Sequence, residues 1–556
     1  AYYSIKRYSE AIEYFQQALI IVQEQRDRLY EVSLLHELGN TYLKLGQNQQ
    51  AIEVLQKKLA LDREIGNRAG EMNSLFSLGW AYNFEGKYQQ AIKFFQQTLA
   101  IAREIGARDK EISSLYALGW AYDDLGQRHK SVELYQQALK IAQEIQDRSR
   151  MADVLNGLGW VHNSLEKYQQ AILFFQRQLE IAEEIRDLRQ KANALNGLGW
   201  SFRALKQYQK SISFSRQALL IQQKIGDLRE EAYSWGDLGK TFAALGQQQE
   251  AIEFYQQSLA IQNKIGNRWG KGVTLSDIAD LFVKQNQPEL AIIFYKQSVN
   301  VREAIRKDIQ GLPKEQQESF TQTVAGTYRA LADLLIEQGR IGEAQQVLER
   351  LKIQEINDFT KGTRVAAAIS DVEFNATETQ IKNKYSTLIA FGGRFYACEQ
   401  SRCPQLGELR DQYRNLSKEF QDFVEETKKQ LRDARLANVD NATDDFQKSA
   451  DRVVTAHPNS ILIYPLVLPD KTRLLWAGKG GVLSKTAVCP LGEKALYAKV
   501  AEFRKLLSRP GSDTQLKSVG KELYDCLVKP LEGELTANQI KHLIFVPDRA
   551  TNYIPM

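Results

Sequence analysis

Tryptophan stands at 80, 120, 160 and 200, one every 40 residues, each inside the triplet Leu-Gly-Trp. Its neighbours recur with it. Phe76, Tyr116, Asn156 and Asn196 lie four positions before, Asn83, Asp123, Asn163 and Arg203 three after, and Asn73 seven before Trp80. These residue types suit binding better than bond-breaking. An indole offers a large apolar face with one donor, and an asparagine amide both donates and accepts, so it pairs with a peptide backbone whatever its side chains. Two readings stand at this level. Either each indole packs on the next repeat's first helix and tightens the array, or the four line up as an aromatic floor with amide walls. Binding hot spots favour such anchors, and a run of exposed Trp without a partner is a liability. The second reading is preferred. Its groove consists of Asn73, Phe76, Trp80, Asn83, Tyr116, Trp120, Asp123, Asn156, Trp160, Asn163, Asn196, Trp200 and Arg203.

Other chemistry finds little support. Cys398 and Cys403 in YACEQSRC lack the second half of a zinc pattern, and His457 is too distant in sequence to complete one. Two reduced thiols or an opportunistic disulfide are expected there. No metal and no cofactor is implied.

The elements that position the tryptophans are set by the same period of 40. Gly39, Gly79, Gly119, Gly159, Gly199 and Gly239 form one column, and Ile65, Ile105, Ile145, Ile185, Ile225 and Ile265 another. Within one unit the apolar spacing is helical twice over, as in Leu75, Leu78, Tyr82 and then Ile92, Phe95, Leu99. Each unit is therefore a helical hairpin that buries its apolar face only against its neighbours. With about 100° per residue, Trp80 falls on the order of 150° from the Leu75, Leu78, Gly79, Tyr82 cluster.

The pattern L-x-x-L-G-x-x-Y (Leu75, Leu78, Gly79, Tyr82) followed by A-x-x-x-F (Ala91, Phe95) resembles the tetratricopeptide repeat (TPR) family in its 40-residue form, as in kinesin-light-chain-like and cyanobacterial arrays. The resemblance implies a mainly α, right-handed TPR solenoid of about eight hairpins over residues 1–310, with diverged or capping helices at 311–360. It also implies that the tryptophan face lines the concave, peptide-holding groove. Residues 361–455 keep helical spacing but lose the register, as in Leu409, Tyr413, Leu416, Phe420 and Phe423, and are expected to be a helical connector.

At 460 the class changes. SILIYPLVLPD reads as a buried strand, RLLWAG as its hairpin partner and KTAVCPL as a further strand. Helices are expected at 493–508 and about 513–529, before a strand in KHLIFVPD. SILIYPLVLPDKTRLLWAG, ELYDCLVKPLEGEL and HLIFVPDRATNYIPM resemble the opening half of a CHAT domain, a caspase-like module often found after TPR arrays. Val546, Pro547, Asp548, Ile554 and Pro555 match its closing motif, whereas Arg549 and Thr551 replace the usual Gly and Leu. Residues 456–556 are thus expected to form the N-terminal half of a partial α/β caspase-like domain. The resemblance implies cysteine-peptidase chemistry, with a His before Gly and a later Cys. None of the five histidines precedes glycine, so no catalytic residue is assigned.

Both ends read as cut, and half a domain is expected to be less ordered than the repeats or covered by the 361–455 helices. Composition sets the remaining bounds. The 556 residues are 43% hydrophobic and 25% charged, with an interspersed net charge of +5. No basic stripe points to nucleic acid, and no apolar run is long enough to span a membrane. Four cysteines make no disulfide framework, so a cytoplasmic setting is expected. The expected function is a TPR scaffold that holds a segment of another protein, or of its own C-terminal domain, and regulates a CHAT peptidase. The alternative is a non-catalytic adaptor with a degenerate CHAT domain.

Overall fold

The computed structural model describes residues 8–44, 47–84, 87–124, 126–308, 314–344, 346–348, 350–351, 371–401, 403–437, 457, 459–477, 483–507 and 513–545. The closing CHAT-like motif at 546–555 lies outside them. Contacts divide the chain into two units, residues 1–267 with 312–319 and residues 268–311 with 320–556.

The first unit is a stack of helical hairpins. The first helices of the hairpins are α2 (Arg28–Lys44), α4 (Arg68–Phe84), α6 (Arg108–Asp124), α8 (Arg148–Ser164), α10 (Leu188–Ala204) and α12 (Leu228–Ala244). The second helices are α3 (Asn48–Glu64), α5 (Tyr88–Glu104), α7 (Arg128–Glu144), α9 (Tyr168–Glu184), α11 (Tyr208–Ile225) and α13 (Gln248–Ile265), and α1 (Tyr8–Glu24) precedes them all. One continuous core shows why no hairpin stands alone. Ile112 and Leu115 of α6, Tyr135 and Ile141 of α7, Met151, Leu155 and Leu158 of α8, and Ile181 of α9 bury one another across two repeats.

The glycine column sets the helix separation. A Cβ on Gly119 would lie 2.7 Å from Cε1 of Tyr135, and one on Gly157 would lie 2.7 Å from Cζ of the same ring. Phe175 is pinched in the same way between Gly159 and Gly197. The second-helix aromatic thus fills the space where two successive first helices carry no side chain.

The second unit begins with α14 (Arg268–Lys284), α15 (Pro288–Asp308) and α16 (Lys314–Glu337), then α17 (Ala376–Ser401) and α18 (Leu406–Ala437). Tyr413 and Phe420 of the expected seam are buried, and Tyr385 links Phe420 to Phe294 at ring distances of 5.3 and 4.7 Å. Buried Lys296 pairs with Glu378 at 2.9 Å and Glu343 at 2.6 Å, joining α15 to the start of α17. Burial works against the Glu343 carboxylate, but Lys296 and Arg340 together bring its pKa below the ordinary value.

Next come β1 (Ser460–Val467), β2 (Thr472–Ala477), β3 (Leu483–Cys489), α19 (Glu493–Leu507), α20 (Asp513–Leu527), α21 (Glu532–Ala537) and β4 (His542–Phe545). The sheet order is β3-β2-β1-β4, antiparallel except where β1 meets β4. All eight residues of β1 are buried. Ile461, Ile463 and Val467 join Leu496, Val500 and Leu523 from α19 and α20. Leu466 and Tyr464 instead share a small cavity with Arg329, Leu348 and Leu351. Among the described residues this lining comes from the helices before residue 352.

A correction concerns the cysteines. Cys398 pairs with Cys403, one of the two states expected there, whereas Cys489 pairs with Cys526 against the expectation of no disulfide framework. The second pair is 37 residues apart in sequence but joins the end of β3 to α20 across the sheet–helix core. Spacing alone did not reveal that approach. Among the described residues no helix is long and apolar enough to cross a membrane.

The glycine contact gives a test by sign reversal. Gly119→Ala should lower stability by about 1–3 kcal/mol through overpacking against Tyr135. In a Tyr135→Ala background the same change should stabilise, because helix-interior Ala is favoured over Gly by about 1 kcal/mol. Thermal melts of the four proteins measure the coupling, and equal effects in both backgrounds would contradict it.

Candidate functional site

The groove residues come from the first helix of each hairpin. Residues 76 and 80, or 80 and 84, are four apart and about 40° apart around the helix, so they share one face. Trp80 meets Phe76 edge-on at 6.2 Å, stacks with Phe84 at 5.6 Å and touches Phe95 at 5.5 Å. The indoles also meet between repeats. Trp80 and Trp120 lie 6.0 Å apart and Trp160 and Trp200 lie 6.1 Å apart, both edge-to-face. Tyr116 meets Trp120 at 6.1 Å, and burial pushes its hydroxyl pKa up.

Each indole is packed on one side and open on another. Trp120 is 42% exposed and Trp160 37%, whereas Trp80 and Trp200 are half-buried. Trp160 rests on Phe175 at 5.4 Å, so the ring that fills the glycine pair also carries the indole. The two sequence readings are therefore not exclusive, since packing fixes the ring and leaves one of its faces accessible.

The amides depart from the expected walls. Asn83 and Asn163 are 5% and 3% exposed. Asn83 Nδ2 donates to Asp124 at 3.3 Å, and Asn163 Oδ1 accepts from Ser201 at 3.0 Å, each on the following first helix. A residue three after the tryptophan is about 60° away around the helix, toward the next repeat. Asn196 accepts from Ser234 at 3.0 Å, and Asn156 donates to Gln178 at 3.3 Å. Arg203 covers Trp200 at 5.6 Å and reaches Asp237 at 3.5 Å, while Asn73 is half-buried. Most of these amides spend their hydrogen bonds between repeats.

Two residues that the sequence reading passed over stand on the indole face. Phe84 is 57% exposed, and Asp124 occupies the same column one repeat later. The signal was available in the i+4 spacing from Trp80 and Trp120. Asp124 is exposed at its tip, yet desolvation by the neighbouring protein raises its carboxyl to about 6, with Asp123 adding to the shift and hydrogen bonds from Asn83 and Trp120 opposing it. Asp123 is raised too, by burial, against the opposing pull of Arg128. Asp153 rises for the same reason, although Gln190 donates to it. Among the described residues no group of three or more His, Cys, Asp and Glu side chains is placed to hold a metal ion.

An acid whose folded pKa is raised binds its proton more tightly in the native state, so its contribution falls as pH rises through the window between the two pKa values. For Asp124 that window runs from 3.8 to about 6. Asp124→Asn should therefore raise the melting temperature relative to the unsubstituted chain at pH 7 and lose that advantage by pH 4. A difference independent of pH would contradict the desolvation argument.

Tetratricopeptide repeat models match residues 1–64, 30–104, 71–144, 124–184, 150–224 and 190–264, and another matches 325–350. Among solved structures, BtubC from P. vanneervenii is 20% identical with a TM-score of 0.36, over 39% of this chain and 92% of that one. The apo form of RapI is 18% identical with a TM-score of 0.41, over 47% of this chain and 94% of that one. A Rap protein complexed with competence and sporulation factor is 15% identical with a TM-score of 0.37, over 63% of this chain and 97% of that one. No curated protein matches the chain. The matched segments coincide with the stacked hairpins, and the repeat array of this chain belongs to the tetratricopeptide repeat family.

Proposed function

We propose that the chain is a protein-binding scaffold whose middle four repeats hold an extended or helical segment of another protein along the indole face. The observation that carries this reading is the exposure of Trp120 and Trp160 beside half-buried Trp80 and Trp200. A soluble array gains nothing from open indoles in register, whereas a bound segment would cover them. The amides already engaged between repeats contribute rigidity, so the floor is pre-organised and binding costs less ordering entropy. The groove then consists of the aromatic residues first, with Asn73 and Arg203 at its margins and the remaining amides as supports.

The second part of the proposal is that the scaffold regulates a CHAT-type cysteine peptidase module. Support comes from the placement of elements, because β1, β2 and β4 fall on the segments that carry the CHAT resemblance and α20 runs into the matching ELYDCLVKPLEGEL run. The adaptor alternative shares the groove but requires no peptidase.

Panning a displayed library of random dodecapeptides on the chain tests the groove. Enriched peptides should bind the Trp120→Ala/Trp160→Ala variant at least about tenfold more weakly, in line with the loss of hot-spot aromatics. Far-ultraviolet circular dichroism of that variant should be unchanged. Equal binding by the double variant, or loss of helicity without loss of binding, would end the reading.

A further inference from the structure

The two disulfides of the second unit stand in opposite settings. Cys489 and Cys526 are both buried, packed among the side chains between the sheet and its helices. Cys398 and Cys403 are five residues apart and bracket the turn from α17 to α18. Cys398 is buried too, but Cys403 is half-buried and is followed by exposed Pro404 and Gln405. One residue of this pair thus lies beside solvent, and the other is shielded.

The turn does not depend on the covalent bond. Cys403 N–H donates to Cys398 O at 3.0 Å across the same turn. Between the two helices, Phe395 stacks on Tyr413 at 5.4 Å and Tyr385 meets Phe420 at 5.3 Å. A bridge that closes so short a loop also restricts the unfolded chain less than one spanning 37 residues, so less stability rests on it. The thiol state has its acceptors in place. Cys398 Sγ lies 3.8 Å from Cys403 O, and Cys403 Sγ lies 3.7 Å from Gln405 Oε1, both within reach of an S–H donor. Both oxidation states therefore fit one backbone, and the sulfurs stay close together when unbonded.

We infer that Cys398 and Cys403 form a thiol–disulfide exchange pair, with Cys403 as the entry sulfur, Cys398 as the resolving one and a low-molecular-weight thiol or its disulfide as the reagent. In the oxidising direction the Cys403 thiolate attacks one sulfur of R–S–S–R, forming Cys403–S–S–R and expelling RS⁻. The Cys398 thiolate then attacks Cys403 Sγ and expels a second RS⁻. The two protein thiols lose two protons and two electrons, and the reagent is reduced to two R–SH. Reduction runs through the same mixed disulfide in reverse. Access sets the order, because a thiolate must line up with the bond it breaks: a reagent from solvent meets the half-buried residue, whereas Cys398 is reached from within the turn. The inference is independent of the groove.

Reduced glutathione at graded concentrations, added to the folded full chain, tests the assignment. After acid quench and alkylation with N-ethylmaleimide, peptide mass spectrometry should find Cys398 and Cys403 labelled at a concentration at least about tenfold lower than Cys489 and Cys526. Oxidised glutathione should then reclose the reduced pair without a lasting adduct. In Cys398→Ser it should leave glutathione on Cys403, at least about tenfold faster than on Cys398 in Cys403→Ser. Both variants should keep the far-ultraviolet circular dichroism of the unsubstituted chain. Opening of Cys489–Cys526 at the same concentration or a lower one, resistance of both bonds, no adduct on Cys403, equal rates in the two variants, or lost helicity in either would each overturn the inference.

Discussion

The architecture of the first unit depends on an aromatic ring seated where two helices lack side chains. Tyr135 occupies the space left by Gly119 and Gly157, and Phe175 the space left by Gly159 and Gly197. Each ring belongs to the second helix of one hairpin and touches the first helix of its own repeat and of the next. It therefore fixes two separations at once, one within a hairpin and one between hairpins. That double contact converts a local sequence choice into the pitch of the array. It also decides what happens to the tryptophan one residue after each glycine. The interior beside the glycine is already full, so the indole cannot sink further. It lies against the ring edge, as Trp160 does on Phe175, with its remaining surface toward solvent.

Charge follows from the same crowding. Asp124 lies four residues beyond Trp120, on the indole's own face, where Trp120 and Asn83 both bond to it. Neighbouring protein displaces its water without supplying a full counter-charge, so the carboxyl is pushed up to about 6. Contrast the buried Lys58–Asp62 pair, at 2.7 Å, where Ser74 and the lysine together satisfy the carboxylate within one repeat junction. One acidic site is closed by its own scaffold, and the other is exposed and holds two hydrogen bonds without a cation beside it.

The period of 40 residues, the helical hairpins, the glycine column and the face bearing the indoles were legible from one sequence, because each follows from helical geometry applied to a repeating pattern. What escaped depends on contacts between repeats. Asn83 and Asn163 were read as free walls because their distance from the indole was judged on an isolated helix, where no neighbour competes for the amide. Gly157 and Gly197 did not stand out, since Ala117 fills the same column one repeat earlier. Phe84 and Asp124 were passed over because their column runs Phe, Asp, Ser and Ala over the four indole repeats, although the i+4 spacing placed them beside the indoles. The Cys489–Cys526 pairing needed the fold of the α/β layer, which no periodicity encodes.

The second unit shows how a strand with two apolar faces is accommodated. SILIYPLV reads as continuously hydrophobic, and such a strand needs cover on both sides. Helices α19 and α20 supply one side, and the region of Arg329, Leu348 and Leu351 supplies the other. Pro465 interrupts the strand where it would seem least welcome. There it stands opposite Leu474 of β2. Apolar contact alone would leave the hairpin free to slide over its helical cover, because burial has no direction. Direction comes from charge: Lys471 reaches Asp333 and Glu337 at 3.0 Å each, and Arg473 bonds to the same two carboxylates of α16. A cation on β2 and another just before it, facing two anions one helical turn apart, have few equivalent arrangements, so hydrophobic burial holds the sheet in place and this cluster sets its register.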